Sequence, residues 1–108
     1  MYESMQFRSK AGAGTDDLEL FSSGFYAYQQ EHYNTSISYM DILLQRYPAT
    51  VLRDMALFWL SQAYFKAGYR HEAARSLVQF FREFPAMNYI KQEIDEELIE
   101  LARQYEVE

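Results

Sequence analysis

The feature that most constrains this chain is a pattern of apolar and small residues that occurs twice, 37 residues apart. In each copy the apolar residues recur at intervals of three and four, which is the spacing of one face of an α-helix. A repeat with helical spacing indicates stacked helix pairs, each of which buries its apolar face against the next. The matching positions are Leu20 and Leu57, Phe21 and Phe58, Gly24 and Ser61, Met40 and Leu77, Leu43-Leu44 and Phe80-Phe81, and Tyr47-Pro48 and Phe84-Pro85.

Glycine and proline set the expected boundaries within the repeat. Ala67-Gly68 is predicted to separate the two helices of the second copy, because glycine at a helix end adopts the left-handed conformation at little cost. Pro48 and Pro85 are expected to end their units, since the residue before a proline is pushed out of helical geometry. We therefore expect repeat one over residues 16–48 and repeat two over residues 51–85.

Polar residues near the predicted helix starts are the expected caps. Asp16 and Glu19 have the spacing of a capping box at the first helix. Asn34 or Thr35 is expected to cap the second helix, and Thr50 the third.

A fifth helix is predicted over residues 89–105, with Asn88 as its cap. Its apolar stripe consists of Ile94, Leu98, Leu101 and Tyr105, and its other face is acidic. We expect this helix to cover the last layer, because each layer of a stacked array leaves one apolar side open.

Residues 1–15 are predicted to be a flexible tail, and residues 16–108 a single helical domain. The tail contains the small-residue spacer Ala11-Gly12-Ala13-Gly14. It also carries scattered apolar side chains, which leave open the alternative that it docks on a neighbouring groove. Those side chains belong to Met1, Tyr2, Met5 and Phe7.

Composition excludes several classes of function. The net charge of −6 and the absence of a basic stripe argue against nucleic-acid binding. The absence of cysteine excludes disulfides, thiol catalysis and thiolate metal sites. No apolar run approaches the ~20 residues of a membrane span, and no apolar signal-peptide core follows Met1.

The chain offers little for catalysis, so we expect no enzyme activity, no cofactor and no metal site. The two histidines, His32 and His71, lie in or beside the turns of separate repeats. Two carboxylate pairs on the fifth helix have i, i+4 spacing, but a solvated acidic face explains them better than a cation site, which needs more oxygens on a looped backbone. These pairs are Glu93 with Glu97 and Glu96 with Glu100.

The repeat resembles the tetratricopeptide repeat. The second unit matches the family at Leu57, Leu60, Ser61, Tyr64, Gly68, Ala73, Leu77, Phe80 and Pro85. The first unit matches at Leu20, Gly24, Tyr33, Met40, Leu43 and Pro48. It departs from the family at Ser36, where alanine is usual, at Glu31, where glycine is usual, and at Ala27, where an aromatic residue is usual.

This resemblance implies an all-α fold of two helix pairs plus a C-terminal capping helix, stacked in a right-handed superhelix. The repeat, with its period of 37 residues, is similar to the repeats of two bacterial envelope families, the outer-membrane assembly lipoproteins and the Tol-Pal coordinators. Proteins of these families are periplasmic scaffolds. A periplasmic or cell-envelope location is therefore expected if the chain is excised from an exported protein, and a cytoplasmic one otherwise.

The resemblance also implies a binding groove, because in this family the first helix of each pair lines a concave surface. A protein or peptide partner with apolar anchors would suit such a groove. The residues expected to face it are Leu18, Phe21, Phe25, Tyr28 and Gln29 from helix one, and Met55, Phe58, Gln62, Phe65 and Lys66 from helix three.

Two alternatives remain open at this point. In the first, helix five or the tail folds over the aromatic residues of the groove and buries them in the core. Alternatively, the chain is a self-associating structural unit, a homo-oligomer that pairs through its end layers or its N-terminal tail.

Overall fold

The fold is all-α, as predicted, in a computed structural model that describes residues 15–107. The helices are α1 (Thr15–Gln29), α2 (Tyr33–Arg46), α3 (Arg53–Ala67), α4 (Arg70–Glu83), a 3₁₀ helix (Pro85–Glu93) and α5 (Glu96–Val107). Each α-helix packs against the next along the chain. The predicted tail lies outside the described residues except for Thr15, which begins α1.

Two clusters of buried apolar side chains form the core, and α3 contributes to both of them. The first cluster joins α1, α2 and α3 through Phe21, Met40, Leu43, Ala56 and Leu60. The second joins α3, α4 and α5 and consists of Leu57, Ala73, Leu77, Val78, Phe80, Ile94, Leu98 and Ala102. The apolar repeat therefore builds a continuous core rather than two separate ones.

Gly68 ends α3 as predicted, with a left-handed φ of +92°. Its N–H donates to the carbonyl of Phe65 at 3.1 Å, and the N–H of Tyr69 donates to the carbonyl of Tyr64 at 2.9 Å. Glu31, 37 positions earlier in the sequence, is the one non-glycine residue with positive φ in the described chain, at +64°. The helix pairs thus turn in the same way, although only the second has glycine at the turn.

Small residues lie where the two helices of each pair approach most closely. In the first pair, the Ser36 hydroxyl donates to the carbonyl of Gly24 at 2.8 Å. A Cβ atom on Gly24 would lie 3.0 Å from Met40 Cε and 3.2 Å from Tyr39 Cβ, so the helices leave little room for a side chain. In the second pair, Ser61 stands at the matching position and is fully buried.

The predicted helix caps are wrong for α1, α2 and α3. Asp16 lies in the first turn of α1, and its carboxylate accepts a hydrogen bond from the Tyr47 hydroxyl at 3.2 Å. His32 precedes α2 and makes no side-chain cap bond, so neither Asn34 nor Thr35 is the cap.

Thr50 has a different role from the predicted cap of α3, which begins at Arg53. Its hydroxyl donates to the carboxylate of Asp17 at 2.5 Å and accepts from the Leu52 N–H at 3.1 Å. Asp17 and Thr50 are both buried. This tertiary bond fixes the loop between α2 and α3 against the start of α1.

The predicted fifth helix is also wrong in its first part. Residues 85–93 form the 3₁₀ helix, which contains Asn88, and the α-helix begins only at Glu96. Asp95 caps it, because its carboxylate accepts the Glu97 N–H at 2.8 Å. Ile94 has extended backbone before this cap and is buried in the second core cluster.

The apolar stripe of α5 is shorter than predicted. Leu98 is fully buried, and Ala102, one turn later, is the other buried residue of the helix. Leu101 and Tyr105 are only half-buried. The helix packs on α4 with this narrow stripe and leaves its acidic residues exposed.

Candidate functional site

The residues predicted to face a groove lie along α1 and α3, and Trp59 links these two helices. Its ring packs edge-on against Phe25, with centroids 5.0 Å apart, and against Tyr28, with centroids 5.1 Å apart. Phe58 makes a third edge contact with Trp59 at 5.1 Å. We call this region the α1–α3 surface, and its members are Leu18, Phe25, Tyr28, Gln29, Met55, Trp59, Gln62, Phe65 and Lys66.

Phe21 does not belong to this surface. Its side chain is only 7% exposed and packs in the first core cluster with Met40 and Leu43 of α2. The expectation that Phe21 faces an open groove is wrong, because α2 covers this side of α1. Its ring lies parallel to that of Phe25, with centroids 6.0 Å apart, so it supports the surface from below.

Phe58 is also largely a packing residue. It is half-buried and packs against the second core cluster, with its ring centroid 5.6 Å from that of Phe80 on α4. One side of the Phe58 ring therefore supports α4, and the other contacts Trp59.

The remaining predicted residues are accessible to different degrees. Leu18 is 48% exposed and Met55 is 44% exposed, so both project beyond the core. Phe25, Tyr28, Gln62 and Phe65 are half-buried, whereas Gln29 and Lys66 are exposed. The surface thus has aromatic side chains at its centre and both apolar and polar side chains at its edge.

Trp59 is the residue of this surface that the sequence analysis did not include. A signal for it exists in the sequence. Met55, Trp59, Gln62 and Lys66 follow one another at intervals of four, three and four residues, which places Trp59 on the same helical stripe as the predicted site residues.

Burial raises the pKa of the Tyr28 hydroxyl above its usual value, and the neighbouring Tyr33 hydroxyl raises it further. The two rings pack edge to face with centroids 5.3 Å apart. The Tyr28 hydroxyl is therefore a hydrogen-bond donor at the edge of these packed rings.

The last helix does not fold over this surface. α5 packs along α4 and meets α3 through the second core cluster, which contains Leu57. At the far end of the surface, the Arg70 guanidinium lies 5.9 Å from the centroid of the Phe65 ring and pairs with Glu97 of α5. This pair joins the edge of α5 to the start of α4 and leaves the centre of the surface open among the described residues.

The residues considered for catalysis or metal binding are dispersed. His71 packs against Tyr105 with ring centroids 5.3 Å apart, and His32 is exposed at the turn before α2. Glu100 pairs with Arg103. Residues 15–107 contain no cluster of three or more histidine or carboxylate side chains arranged to hold a metal ion.

Two further findings bear on the candidate site. Within the described part of the chain, every helix is too short or too polar to cross a membrane. Comparison with protein-family models, curated proteins and solved structures found no match to this chain.

Proposed function

We propose that this chain is a protein-interaction module, built from tetratricopeptide-like helix pairs in a right-handed stack, which binds an apolar segment of a partner along the α1–α3 surface. The observation that carries this proposal is the row of accessible aromatic side chains across two neighbouring helices. Phe25, Tyr28, Trp59 and Phe65 are all half-buried rather than enclosed.

The composition of the surface supports this function. Tryptophan and tyrosine at the centre of a contact surface contribute most to binding, because they bury a large area at little cost in conformational entropy. Polar side chains at the edge, here Gln29, Gln62 and Lys66, offer hydrogen bonds around such a centre.

The repeat geometry supports the tetratricopeptide-like part of the proposal. Positions 37 residues apart share the left-handed turn and the close contact between helices, although their residue types differ. A partner segment with apolar side chains at helical spacing, or an extended peptide with alternating ones, suits the two parallel rows of aromatic side chains.

The test uses exposed residues, so that the fold is preserved. In the double variant Leu18→Glu, Met55→Glu, two charges are placed on the surface without opening the core. The matched control is Tyr26→Glu, Val51→Glu, because these side chains are 64% and 63% exposed and lie outside the α1–α3 surface. Circular dichroism first establishes that all three proteins are equally helical.

Each protein carries a photo-crosslinking residue in place of Lys66, and crosslinked partners are identified by mass spectrometry from the source cells. We expect wild type and control to crosslink the same protein and the Leu18→Glu, Met55→Glu variant to lose at least nine-tenths of that product. Equal crosslinking by all three contradicts the proposal. A crosslink between two copies of the chain instead favours the self-associating unit.

A further inference from the structure

A second surface lies at the N-terminal end of the helix array, on the opposite side of the first pair from α3. It is a groove of about 380 Å³ whose lining, among residues 15–107, comes from α1, α2 and the residue after α2. Every lining residue is exposed or half-buried. We call it the end groove, and its lining residues are Asp16, Glu19, Leu20, Ser23, Tyr39, Arg46 and Tyr47.

The second helix pair has the same face, but there it is covered. The counterparts of Glu19, Leu20 and Ser23, 37 residues later, are Ala56, Leu57 and Leu60. All three are buried, because α2 packs along this side of α3. The end groove is therefore the position that α2 would occupy if the array had a preceding helix.

The chain itself provides a segment at this position. Fourteen residues precede Thr15, and Thr15 directly adjoins Asp16 at the rim of the groove. The first ten residues reach up to ~33 Å when extended, which exceeds the ~21 Å length of a 14-residue helix such as α2. The small residues 11–14 allow the chain to reverse its direction before α1.

The segment and the groove also carry net charges of opposite sign. Asp16 and Glu19 give the groove two negative charges against the one positive charge of Arg46. Arg8 and Lys10 give the segment two positive charges against the one negative charge of its only acidic side chain. Opposite charges of this kind favour one docked orientation over others.

We propose that residues 1–10 dock in the end groove, with apolar side chains on Leu20 and Tyr39, and shield it as α2 shields α3. The apolar side chains available for this are Met1, Tyr2, Met5 and Phe7. This contact is independent of the α1–α3 surface, since it uses the other side of the first helix pair.

The test exploits the absence of cysteine from the chain. A nitroxide spin label is attached to Ser4→Cys in the full-length, ¹⁵N-labelled protein, and paramagnetic broadening of backbone amide signals is measured. We expect the signals of Leu20 and Tyr39 to lose more than half of their intensity. Their counterparts in the second pair, Leu57 and Ser76, serve as internal controls and should keep theirs.

A substitution in the groove separates docking from chance proximity. Leu20→Glu should restore most of the lost intensity at Tyr39, whereas Ser22→Glu, on an exposed part of the same helix, should not. A second label at Ser9→Cys repeats the test, so that a label that disturbs the contact does not decide the result. Broadening that is absent at both label positions, or unchanged by Leu20→Glu, overturns the proposal.

A mixed sample identifies the source of the broadening. Spin-labelled protein without ¹⁵N is combined with ¹⁵N-labelled protein without a spin label. Docking within one chain leaves the mixed sample without broadening at Leu20 and Tyr39. Broadening of equal size in the mixed sample means that a second copy occupies the groove, which also overturns the proposal.

Discussion

The two helix pairs, α1 with α2 and α3 with α4, share backbone conformations at two sets of matched positions, the turn residues Glu31 and Gly68 and the residues after the second helices. These last residues, Tyr47 and Phe84, have φ, ψ values of −130°, 65° and −130°, 64°. Both residues donate their backbone N–H to a carbonyl four residues earlier at 2.9 Å. Both residues are aromatic and precede a proline, so the same local sequence gives the same backbone conformation at these two matched positions.

The small residues between the two helices of each pair differ in type and in hydrogen bonding. In the first pair a glycine on α1 faces a serine on α2, and the Ser36 hydroxyl bonds across to the carbonyl of Gly24. In the second pair Ser61 stands on α3 and Ala73 on α4, and the Ser61 hydroxyl bonds within its own helix, to the carbonyl of Phe58 at 2.6 Å. The total side-chain volume stays small in both pairs, whereas the hydrogen bond changes its partner.

At one pair of matched positions, the signs of the two charges are reversed between the helix pairs. Arg53 and Glu83 form a salt bridge between α3 and α4, with N–O distances of 2.6 and 2.9 Å. Their counterparts in the first pair have the opposite signs, Asp16 and Arg46, and there Asp16 accepts a hydrogen bond from Tyr47 instead. Substitutions at matched positions in the two pairs test which of these differences affect stability.

The largest effect is expected from the matched core positions Phe80 and Leu43. The Phe80 ring contacts the rings of Phe81 and Phe84, with centroids 5.0 and 6.0 Å away. We expect Phe80→Ala to lower the free energy of unfolding by about 3–5 kcal/mol and Leu43→Ala to lower it by about 2–5 kcal/mol, since both create cavities. Urea unfolding followed by circular dichroism measures both values.

This experiment also shows whether the two pairs unfold together. Because α3 contributes to both core clusters, we expect each variant to shift one common transition. Two separate transitions in either variant contradict this prediction and indicate that the pairs are independent. Tyr26→Ala, at an exposed position of α1, is the control and should leave the transition within about 0.5 kcal/mol of wild type.

A smaller effect is expected at the left-handed turn. Gly68→Ala should lower the free energy of unfolding by about 1 kcal/mol, because a residue with a Cβ atom is strained at positive φ. Apart from Gly68 and its two neighbours in sequence, no heavy atom of the described residues lies within 4 Å of the position of this Cβ, so the cost is conformational. Glu31→Gly should have the opposite effect and raise the free energy of unfolding by about 0.5–1 kcal/mol.

The control for the turn is Glu31→Ala, which removes the carboxylate but keeps the strain. In thermal and urea unfolding of the three variants, the free energy of unfolding of Glu31→Ala should therefore be close to that of wild type. If Glu31→Ala stabilises the protein as much as Glu31→Gly does, the gain comes from loss of the charge and not from the backbone.

The spacing of apolar residues predicted most of the fold, since the residues that each helix buries recur at intervals of three and four along its own sequence. Gly68 was predicted because glycine adopts the left-handed conformation at little cost, whereas the same conformation at Glu31 has no such sign in the sequence. The caps were not, because the hydroxyl of Thr50 bonds to Asp17, 33 residues away in sequence, and only the folded chain brings these groups together. The 3₁₀ helix was missed for a similar reason, since buried Ile94 and the Asp95 cap interrupt a pattern that otherwise reads as one helix.

The candidate site shows the same limit. Phe21 and Phe25 lie four residues apart on one face of α1, so the spacing assigns both to one surface. In the structure α2 covers Phe21 and leaves Phe25 half-buried beside Trp59. Periodicity gives the direction of a side chain from its own helix, but which neighbouring helix covers it is a property of the packing.

The smallest effect is expected from the charge exchange between the pairs. The hydrogen bond from Arg53, together with one from Gln79, lowers the pKa of Glu83 from 4.5 to about 2. Because the folded-state pKa is lower than the unfolded one, the contribution of Glu83 to stability is complete above about pH 4.5 and is lost as the pH falls through about 2. The pair is partly solvated, so this contribution is only about 0.2–1 kcal/mol.

Urea unfolding of wild type and Glu83→Gln between pH 2 and 6 measures this contribution directly. We expect the variant to be less stable at pH 6 and the difference from wild type to shrink as the pH falls towards 2, since protonated Glu83 and glutamine are both neutral. Glu106→Gln is the control, because Glu106 lies 3.8 Å from Arg82 and should show a smaller difference at pH 6. If the free energies of unfolding of wild type and Glu83→Gln differ by the same amount at every pH in this range, the charge of Glu83 has no role. The two helix pairs then differ at this position in hydrogen bonding alone.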